Sequence, residues 1–457
     1  MAGHQRPGWL CLRYRGTGEH APISRAAGGV PAAAGAARID GVQGGSSRAL
    51  PRSQLRARLQ RVCPGHDQRP ALRAQLRLGW EGRPHALSVC AQRTLSHRAA
   101  AAGNSSVTFP RTDFASASNA FEREWLVTNA LGGFACGTVA QANTRRYHGL
   151  LVASLQPPVQ RVLMVSKVEV HVRYRDRSYE LGSNEFAGGT ISPRGFEVLS
   201  AFEDDEGLPV WTFACADARL EQRVWMADGR NTTYVRFQLQ DASAAMDLEL
   251  RPLCTYRDYH SHARGGWSLE VADEPRGCRV TAFSAARPYR VLTDRGDFQR
   301  EPDWYWNFYH RAEAERGLDA TEDLFRPGTF RVRLEPRDVV TLIATAESEF
   351  DPPATAFDRE HKRRRSLLRA TPSGAPDWIK RLTLAADQFI VRRSAPGGEL
   401  RGTTVIAGYP WFSDWGRDTM IALPGLALAT GRTQDAAAIL RTFAAHVSEG
   451  MLPNRFP

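Results

Sequence analysis

Gly408-Tyr-Pro-Trp-Phe-Ser-Asp-Trp-Gly-Arg-Asp-Thr-Met-Ile-Ala-Leu-Pro-Gly-Leu426 is the stretch on which the reading of this chain turns. It crowds aromatic rings, the carboxylates Asp414 and Asp418 and the guanidinium of Arg417 into one short loop, then runs into an apolar helix. An Arg-Asp pair beside Trp411 and Trp415 has the chemistry to hold a sugar. Hydroxyls need directional donors and acceptors, which a guanidinium fork and a carboxylate supply. The apolar face of a pyranose needs a flat aromatic surface. The bland alternative is an ion pair at a helix start with tryptophans filling a core, and taken alone the stretch does not decide between the two.

Downstream and upstream of this loop the pattern is helical. Residues 354–370 read as a charged linker helix whose basic run, Lys362 to Arg365, is a solvated face. Asp377 to Arg393 places Trp378, Leu382, Ala385 or Ala386, and Phe389 at helical spacing. Ser394 to Ser413 reads as loop. A second helix runs from about Arg417 to Thr430 and stops at Gly431. A third starts at Thr433 as N-cap and turns Ala437, Leu440, Phe443, Ala444 and Val447 inward. The short connection predicts an antiparallel helical hairpin. The last residues, Met451 to Pro457, read as loop.

Between residues 113 and 350 the period changes to two. Glu122 to Val139 reads as strand, glycine turn, strand. Val168, Val170 and Val172 alternate with Glu169 and His171, and Tyr234 to Leu239 alternates likewise. Further short strands fall at 247–250, 278–283, 330–334 and 339–344, predicting a large antiparallel sandwich. Two polar-aromatic clusters interrupt it, Pro252 to His260 and Asp303 to His310. Either could edge a carbohydrate cleft, or the rings Trp304, Trp306 and Phe308 could fill an interface. Glu203-Asp-Asp-Glu206 reads as a solvated turn.

Residues 1–112 differ from everything after them. The first 110 carry sixteen Arg and no Lys against Glu19, Asp40, Asp67 and Glu81, a net +12 within a chain total of +11, so the rest sits near neutrality. The composition cannot bury a core and predicts disorder. Translation outside the proper frame, or a wrongly placed start, is the favoured origin, and a basic tail that touches polyanions is the alternative. Because the basicity is confined to this segment, nucleic acid is not an expected partner. A run of about 18 apolar residues is missing, so no membrane span is expected. Seven cysteines, without a CxxC, point to free thiols in a reducing cytoplasm. No HExxH, GxSxG or phosphate-loop pattern occurs, so neither a metal nor a cofactor is expected.

Several motifs in order then carry a resemblance: Glu124-Trp-Leu-Val-Thr-Asn, Leu131-Gly-Gly, Thr144-Arg-Arg-Tyr-His-Gly-Leu-Leu, Tyr256-Arg-Asp-Tyr-His, and the 412–426 stretch. Together, over roughly residues 115–457, they resemble the bacterial and archaeal glycogen debranching enzymes, amylo-α-1,6-glucosidase-type members of the six-hairpin glycosidases and relatives of glucoamylase. The resemblance implies an N-terminal β-supersandwich (residues 113–350), a linker helix (351–374) and the start of an (α/α)6 toroid (375–457). It implies an α-glucan partner: glycogen, limit dextrin or a branched maltooligosaccharide. It places Arg417 and Asp418 on the glucose to be cleaved, with Trp415 as a wall, and makes Trp411 and Asp414 further substrate-binding candidates. None of Asp414, Asp418 or Asp435 matches the family's general acid or base, which the resemblance places beyond Pro457. A glucoamylase-like exo-α-1,4-glucosidase and a non-catalytic glucan-binding fragment stay open as alternatives. Incomplete helical faces at Leu382, Phe389, Leu440 and Phe443 predict self-association.

Overall fold

In the computed structural model, residues 106–114, 116–394 and 400–456 are described. The segment 1–105, for which composition predicts disorder, lies outside the described residues. Residues 107–110, which composition had placed with that segment, instead form an edge strand, Val107–Pro110, paired with Leu199–Asp205. The reason is a local alternation: Val107 and Phe109 point inward, and Phe109 lies 6.3 Å from Phe202 and 6.5 Å from Phe114.

Two antiparallel sheets make the sandwich, as the period-two pattern predicts. One has nine strands, in the order Val107–Pro110, Leu199–Asp205, Leu208–Cys215, Ala218–Met226, Thr232–Asp241, Val339–Thr345, Tyr289–Thr293, Gly277–Thr281 and Glu270–Glu274. The other has ten. Its path runs Glu124–Thr128, Phe134–Thr138, Gly149–Gln156, Val159–Tyr174, Met246–Asp258, Thr321–Leu334, Asp297–Tyr309, Ser183–Phe186 and Thr190–Arg194, with Arg177–Glu180 on the flank of Val159–Tyr174. Val168, Val170 and Val172 all turn into the core while Glu169 and His171 stay half-buried. Trp211, Trp225, Phe213, Tyr234, Phe237 and Phe330 fill the space between the sheets, each under 2% exposed. Each such side chain contributes roughly 1.5–3 kcal/mol of burial, taken as an upper figure. The glycine turn between the first two strands of the second sheet is required by contact: Gly132 sits at φ +86°, and a Cβ there would lie 2.6 Å from the Pro158 carbonyl oxygen.

The helices are α1 (Ala117–Glu122), α2 (Arg311–Ala314), α3 (Pro353–Arg369), α4 (Asp377–Phe389), α5 (Gly416–Leu423) and α6 (Thr433–Ala444). Several sequence readings are corrected here. The basic run of α3 is a solvated face only in part: Lys362 and Arg365 are exposed, but Arg364 is buried, bonded to Glu360 at 2.6 Å, and donates to the Glu206 carbonyl at 2.8 Å. Its receptor, 203–206, is therefore a docking edge and not a solvated turn; Arg223 and Ser106 also bind Asp205 there. Asp387 on α4 ties the helices together, accepting from Arg363 at 2.5 Å and Arg432 at 2.6 Å.

The helix read as 377–393 ends at Phe389; its last residues form a strand, Ile390–Ser394, which pairs with Leu400–Val405 inside what reads as loop. This hairpin resets the helix faces. Thr383, Leu384 and Ala386 are buried on α4, whereas Trp378 is 39% and Leu382 52% exposed. On α6 the buried residues are Ala436, Ile439 and Phe443, while Leu440 and Val447 face out. Arg432, not Thr433, holds the N-cap position of α6. Gly431 does end the preceding helical run, at φ +75°, after a π-helical turn over Pro424–Leu428.

Together with Ile421 (70% exposed) and Leu428 (49%), these residues leave much apolar surface on the helical part. We expect concentration-dependent self-association in sedimentation velocity, relieved in a Leu382→Glu/Leu440→Glu variant. A single sedimenting species whose coefficient does not move over a hundredfold concentration range would contradict this.

Candidate functional site

The decisive stretch is a loop pinned at both ends. Ile406 pairs with Asp414, Ala407 N–H donates to the Ser413 carbonyl at 2.9 Å, and Phe412 N–H to the Gly408 carbonyl at 2.8 Å. The loop rests on the second sheet. Tyr409 is buried between Phe134 and Phe389, at 5.5 and 5.9 Å. Arg161, 1% exposed, donates to the Phe412 carbonyl at 3.0 Å. Its guanidinium carbon lies 5.2 Å from the Tyr409 ring centre, 5.4 Å from Tyr259 and 5.7 Å from Phe134. Among the described residues no carboxylate forms an ion pair with this buried charge; three aromatic faces and backbone carbonyls surround it, each cation–π contact being worth about 0.5–2 kcal/mol. Tyr259 Oη donates to the Trp411 carbonyl at 3.3 Å, and Arg145 stands 5.5 Å over the Trp411 ring.

Beneath the loop, 144–148 and 256–260 interlock. Thr144 N–H donates to His148 Nδ1 at 3.1 Å, so in neutral His148 the proton sits on Nε2, which faces Glu124 at 3.5 Å. Arg145 binds the same carboxylate at 2.7 Å. Burial would raise the Glu124 carboxyl, but His148 and Arg145 outweigh it and hold it at about 2. Arg146 binds Glu313 at 3.1 Å and the His260 carbonyl at 2.7 Å. Tyr147 Oη and His260 Nδ1 are 3.1 Å apart. Arg257 grips Glu322 with two nitrogens and the Arg146 carbonyl at 2.6 Å. Sequence reading placed these motifs but not this pairing.

A histidine pair lies alongside. His262 Nε2 and His310 Nδ1 are 3.1 Å apart, with Glu322, Arg257 and Arg146 around them. Burial pushes His262 down to about 4 and His310 well below its ordinary value. Both are neutral at pH 7. Because the folded pKa values are depressed below the unfolded one, near 6.5, stability is complete above about pH 6.5 and falls as pH drops towards 4. Tm measured at pH 5 should therefore lie at least about 2 °C below that at pH 7, a window in which Glu124 stays ionised. A His262→Asn variant should show a flatter profile. Equal Tm values at the two pH values would refute the assignment.

The candidate residues separate into two groups. Asp414 is buried, with its carboxylate on Arg393 at 2.6 Å, so it fastens the loop to the hairpin. One side of Trp411 is taken by Arg145, and its ring meets Tyr147 at 6.4 Å. Trp415, half-buried, stands edge-on to Phe412 at 6.1 Å. Arg417 is exposed and Asp418 half-buried in the first turn of α5, and no ion pair joins either to a partner among the described residues. The bland reading of an Arg417–Asp418 ion pair does not hold here.

Sequence reading missed what caps α5. Gly416 N–H donates to the Asn454 carbonyl at 2.8 Å, and Arg417 N–H to Asn454 Oδ1 at 3.0 Å. The segment that reads as plain loop thus holds the start of the helix. It comes so close that a Cβ at 416 would lie 2.4 Å from the Pro453 carbonyl oxygen. Phe456 completes the contact beneath Arg393, at 3.8 Å.

A sandwich followed by helices, with an aromatic Arg-Asp loop at their junction, is an arrangement that comparison with known families identifies. The family model described as the N-terminal part of glycogen debranching enzyme matches residues 123–341, and the amylo-alpha-1,6-glucosidase model matches residues 384–457. The chain belongs to the glycogen debranching enzyme family, a family of glycoside hydrolases. Solved structures with similarity include a bacterial glucoamylase complexed with acarbose, at 10% identity and a TM-score of 0.40, over 76% of this chain and 51% of that one. A putative kojibiose phosphorylase from human microbiome matches at 9% identity and a TM-score of 0.27, over 63% of this chain and 39% of that one. A family GH92 alpha-mannosidase from Bacteroides thetaiotaomicron matches at 9% identity and a TM-score of 0.24, over 77% and 47%. This chain spans about half the length of the glucoamylase chain it matches. Among the described residues, no helix is long and apolar enough to cross a membrane, and no cluster of His, Cys, Asp or Glu has the makings of a metal site.

Proposed function

We propose that the chain holds the glucose unit of an α-1,6 branch for hydrolysis, as part of a glycogen debranching glycosidase acting in the cytoplasm on glycogen or limit dextrin. One observation carries the reading. In the segment matched by the amylo-alpha-1,6-glucosidase model, the side chains of Arg417 and Asp418 have no ion-pair partner among the described residues and stand beside Trp415, at the solvent-facing start of α5. The guanidinium donates to sugar hydroxyls, the carboxylate accepts from them, and the indole meets the apolar face. The network under the loop keeps these groups fixed, which lowers the ordering cost of binding. The residues are read as binding groups. Asp414 and Asp435 are engaged by Arg393 and Arg432, each at 2.6 Å, and inverting hydrolysis needs an acid and a base roughly 6.5–9.5 Å apart. No residue is assigned to proton transfer.

The test has two parts. Glycogen in a native gel should retard the protein, and the catalytically competent enzyme should release glucose from a limit dextrin faster than from linear maltoheptaose. Faster release from the linear chain would favour exo-α-1,4 action, and an unretarded protein would remove the glucan reading.

A further inference from the structure

A second aromatic strip lies on the sandwich. Trp304 and Trp306, two residues apart on Asp297–Tyr309, share one face, with ring centres 6.0 Å apart; Trp267 continues the strip 5.8 Å beyond Trp304. Trp306 is 50% exposed. A soluble surface has no need to hold an indole in water, and here the backbone is shaped to do so. The ladder to Thr321–Leu334 breaks register between Arg300 and Asp303 and again between Tyr305 and Phe308, so one bulge precedes Trp304 and a second contains Trp306. Asn307 sits in the second bulge at φ +64°. Asp323, 6% exposed, accepts from Asn307 N–H at 2.8 Å and Gly265 N–H at 2.9 Å, clamping segment 264–267 against the bulge. Gly265 is the contact point: a Cβ there would lie 2.6 Å from the Trp306 ring and 2.9 Å from Trp304. On the outer side, the Asp297–Tyr309 strand meets its neighbour Ser183–Phe186 in register only at Phe308, which leaves the tryptophan stretch open along that edge.

Polar groups rim the rings. Arg264, adjoining Gly265, holds Asp319 with Nη2 at 2.6 and 2.9 Å, and both side chains are more than half exposed. Such a pair contributes about 0–1 kcal/mol in water and re-forms easily around a ligand. Asn307, in the same bulge as Trp306, is exposed and adds an amide. The ring planes are tilted by 36° and 54° to one another, a curved strip and not a flat plate. Indoles with a guanidinium and a carboxylate at their edge repeat the chemistry of the α5 site.

We infer that the Trp267–Trp304–Trp306 strip is a second carbohydrate-binding site, which takes a curved α-linked glucan chain along its rings. Only the choice of glucan as ligand rests on the function proposed above.

The experiment is affinity electrophoresis of the full chain in gels containing glycogen, with glycogen-free gels as reference and soluble cellulose derivative as a β-linked control. Trp306→Ala should weaken retardation by glycogen about fivefold, the loss of one stacking contact, while Trp306→Phe keeps most of it. Arg264→Ala should lie between. Trp306 is half in solvent, so an unchanged melting curve will confirm that the variants fold. Asp418→Asn is run in parallel. If it weakens binding while Trp306→Ala and Arg264→Ala match wild type, the strip is not a glucan site and the α5 reading stands. If Trp306→Ala weakens binding and Asp418→Asn does not, the strip stands and the α5 reading falls. Equal retardation by the β-linked polymer would overturn the α-glucan assignment, and no retardation of wild type would sink both.

Discussion

Arg257→Ala is expected to destabilise the protein by about 3–5 kcal/mol, the usual cost of leaving one partner of a buried ion pair alone. The side chains of Arg257 and Glu322 are 4% and 1% exposed. Glu322 also accepts from Ala263 N–H at 3.1 Å, and Arg257 donates to the carbonyls of Arg146 and Asp258. Truncating the arginine therefore strands a carboxylate in the interior and frees three chain segments that it gathers under the aromatic loop. Arg257→Lys should recover only part of the loss, because an ammonium cannot make the two-nitrogen grip. Urea unfolding, followed by tryptophan fluorescence, measures this. A loss below about 1 kcal/mol would mean that the network is solvated enough to relax. Replacing Arg257 and Glu322 together by apolar residues should cost less than removing either, since no charge is then left unpaired.

This network also marks the limit of what the sequence discloses. The sandwich is legible because alternation is local: Val168, Val170 and Val172 are two apart, and each faces the core. The helix positions are legible for the same reason, as Gly431 shows. The helix faces are not. On α6, Phe443 is buried as expected, but Ala436 and Ile439 are buried one position before the expected Ala437 and Leu440, because the helix packs on strand Leu400–Val405, which reads as loop. Gly397 and Gly398 mask two runs of β-branched residues there, Ile390-Val391 and Thr403 to Ile406. The site divides likewise. Trp415, Arg417 and Asp418 lie together in sequence and can be found as a motif. Arg161 and Phe412 are 251 residues apart, and Arg257 and Glu322 are 65 apart, so no spacing reveals them. The charged and aromatic clusters at 144–148, in the turn before Gly149–Gln156, and at 256–260, where Met246–Asp258 ends, are the one signal that could have done so.

Asp418→Asn is expected to lower kcat/KM on a branched dextrin by at least about tenfold in the catalytically competent enzyme. The substitution keeps size and shape while removing the charge. A carboxylate accepting from a sugar hydroxyl in a partly desolvated site is worth about 1.5–3 kcal/mol, and about 1.4 kcal/mol is tenfold. In the structure Asp418 has no ion-pair partner to lose, and α5 keeps its cap from Asn454, so the helix itself should tolerate the change. Tm is thus expected to stay within about 1 °C of wild type, which separates a binding role from a structural one. The pH profile supplies the second separation. If Asp418 only binds, both limbs of kcat/KM against pH keep their positions and the curve drops as a whole. A displaced limb would make Asp418 the acid or the base itself, and an unchanged rate would leave the carboxylate as helix-start decoration that favours the dipole by a few tenths of a kcal/mol. Arg417→Lys distinguishes further: it keeps the positive charge but loses the planar fork, so a loss comparable to that of Asp418→Asn means that the glucose is held by directed hydrogen bonds and not by charge alone.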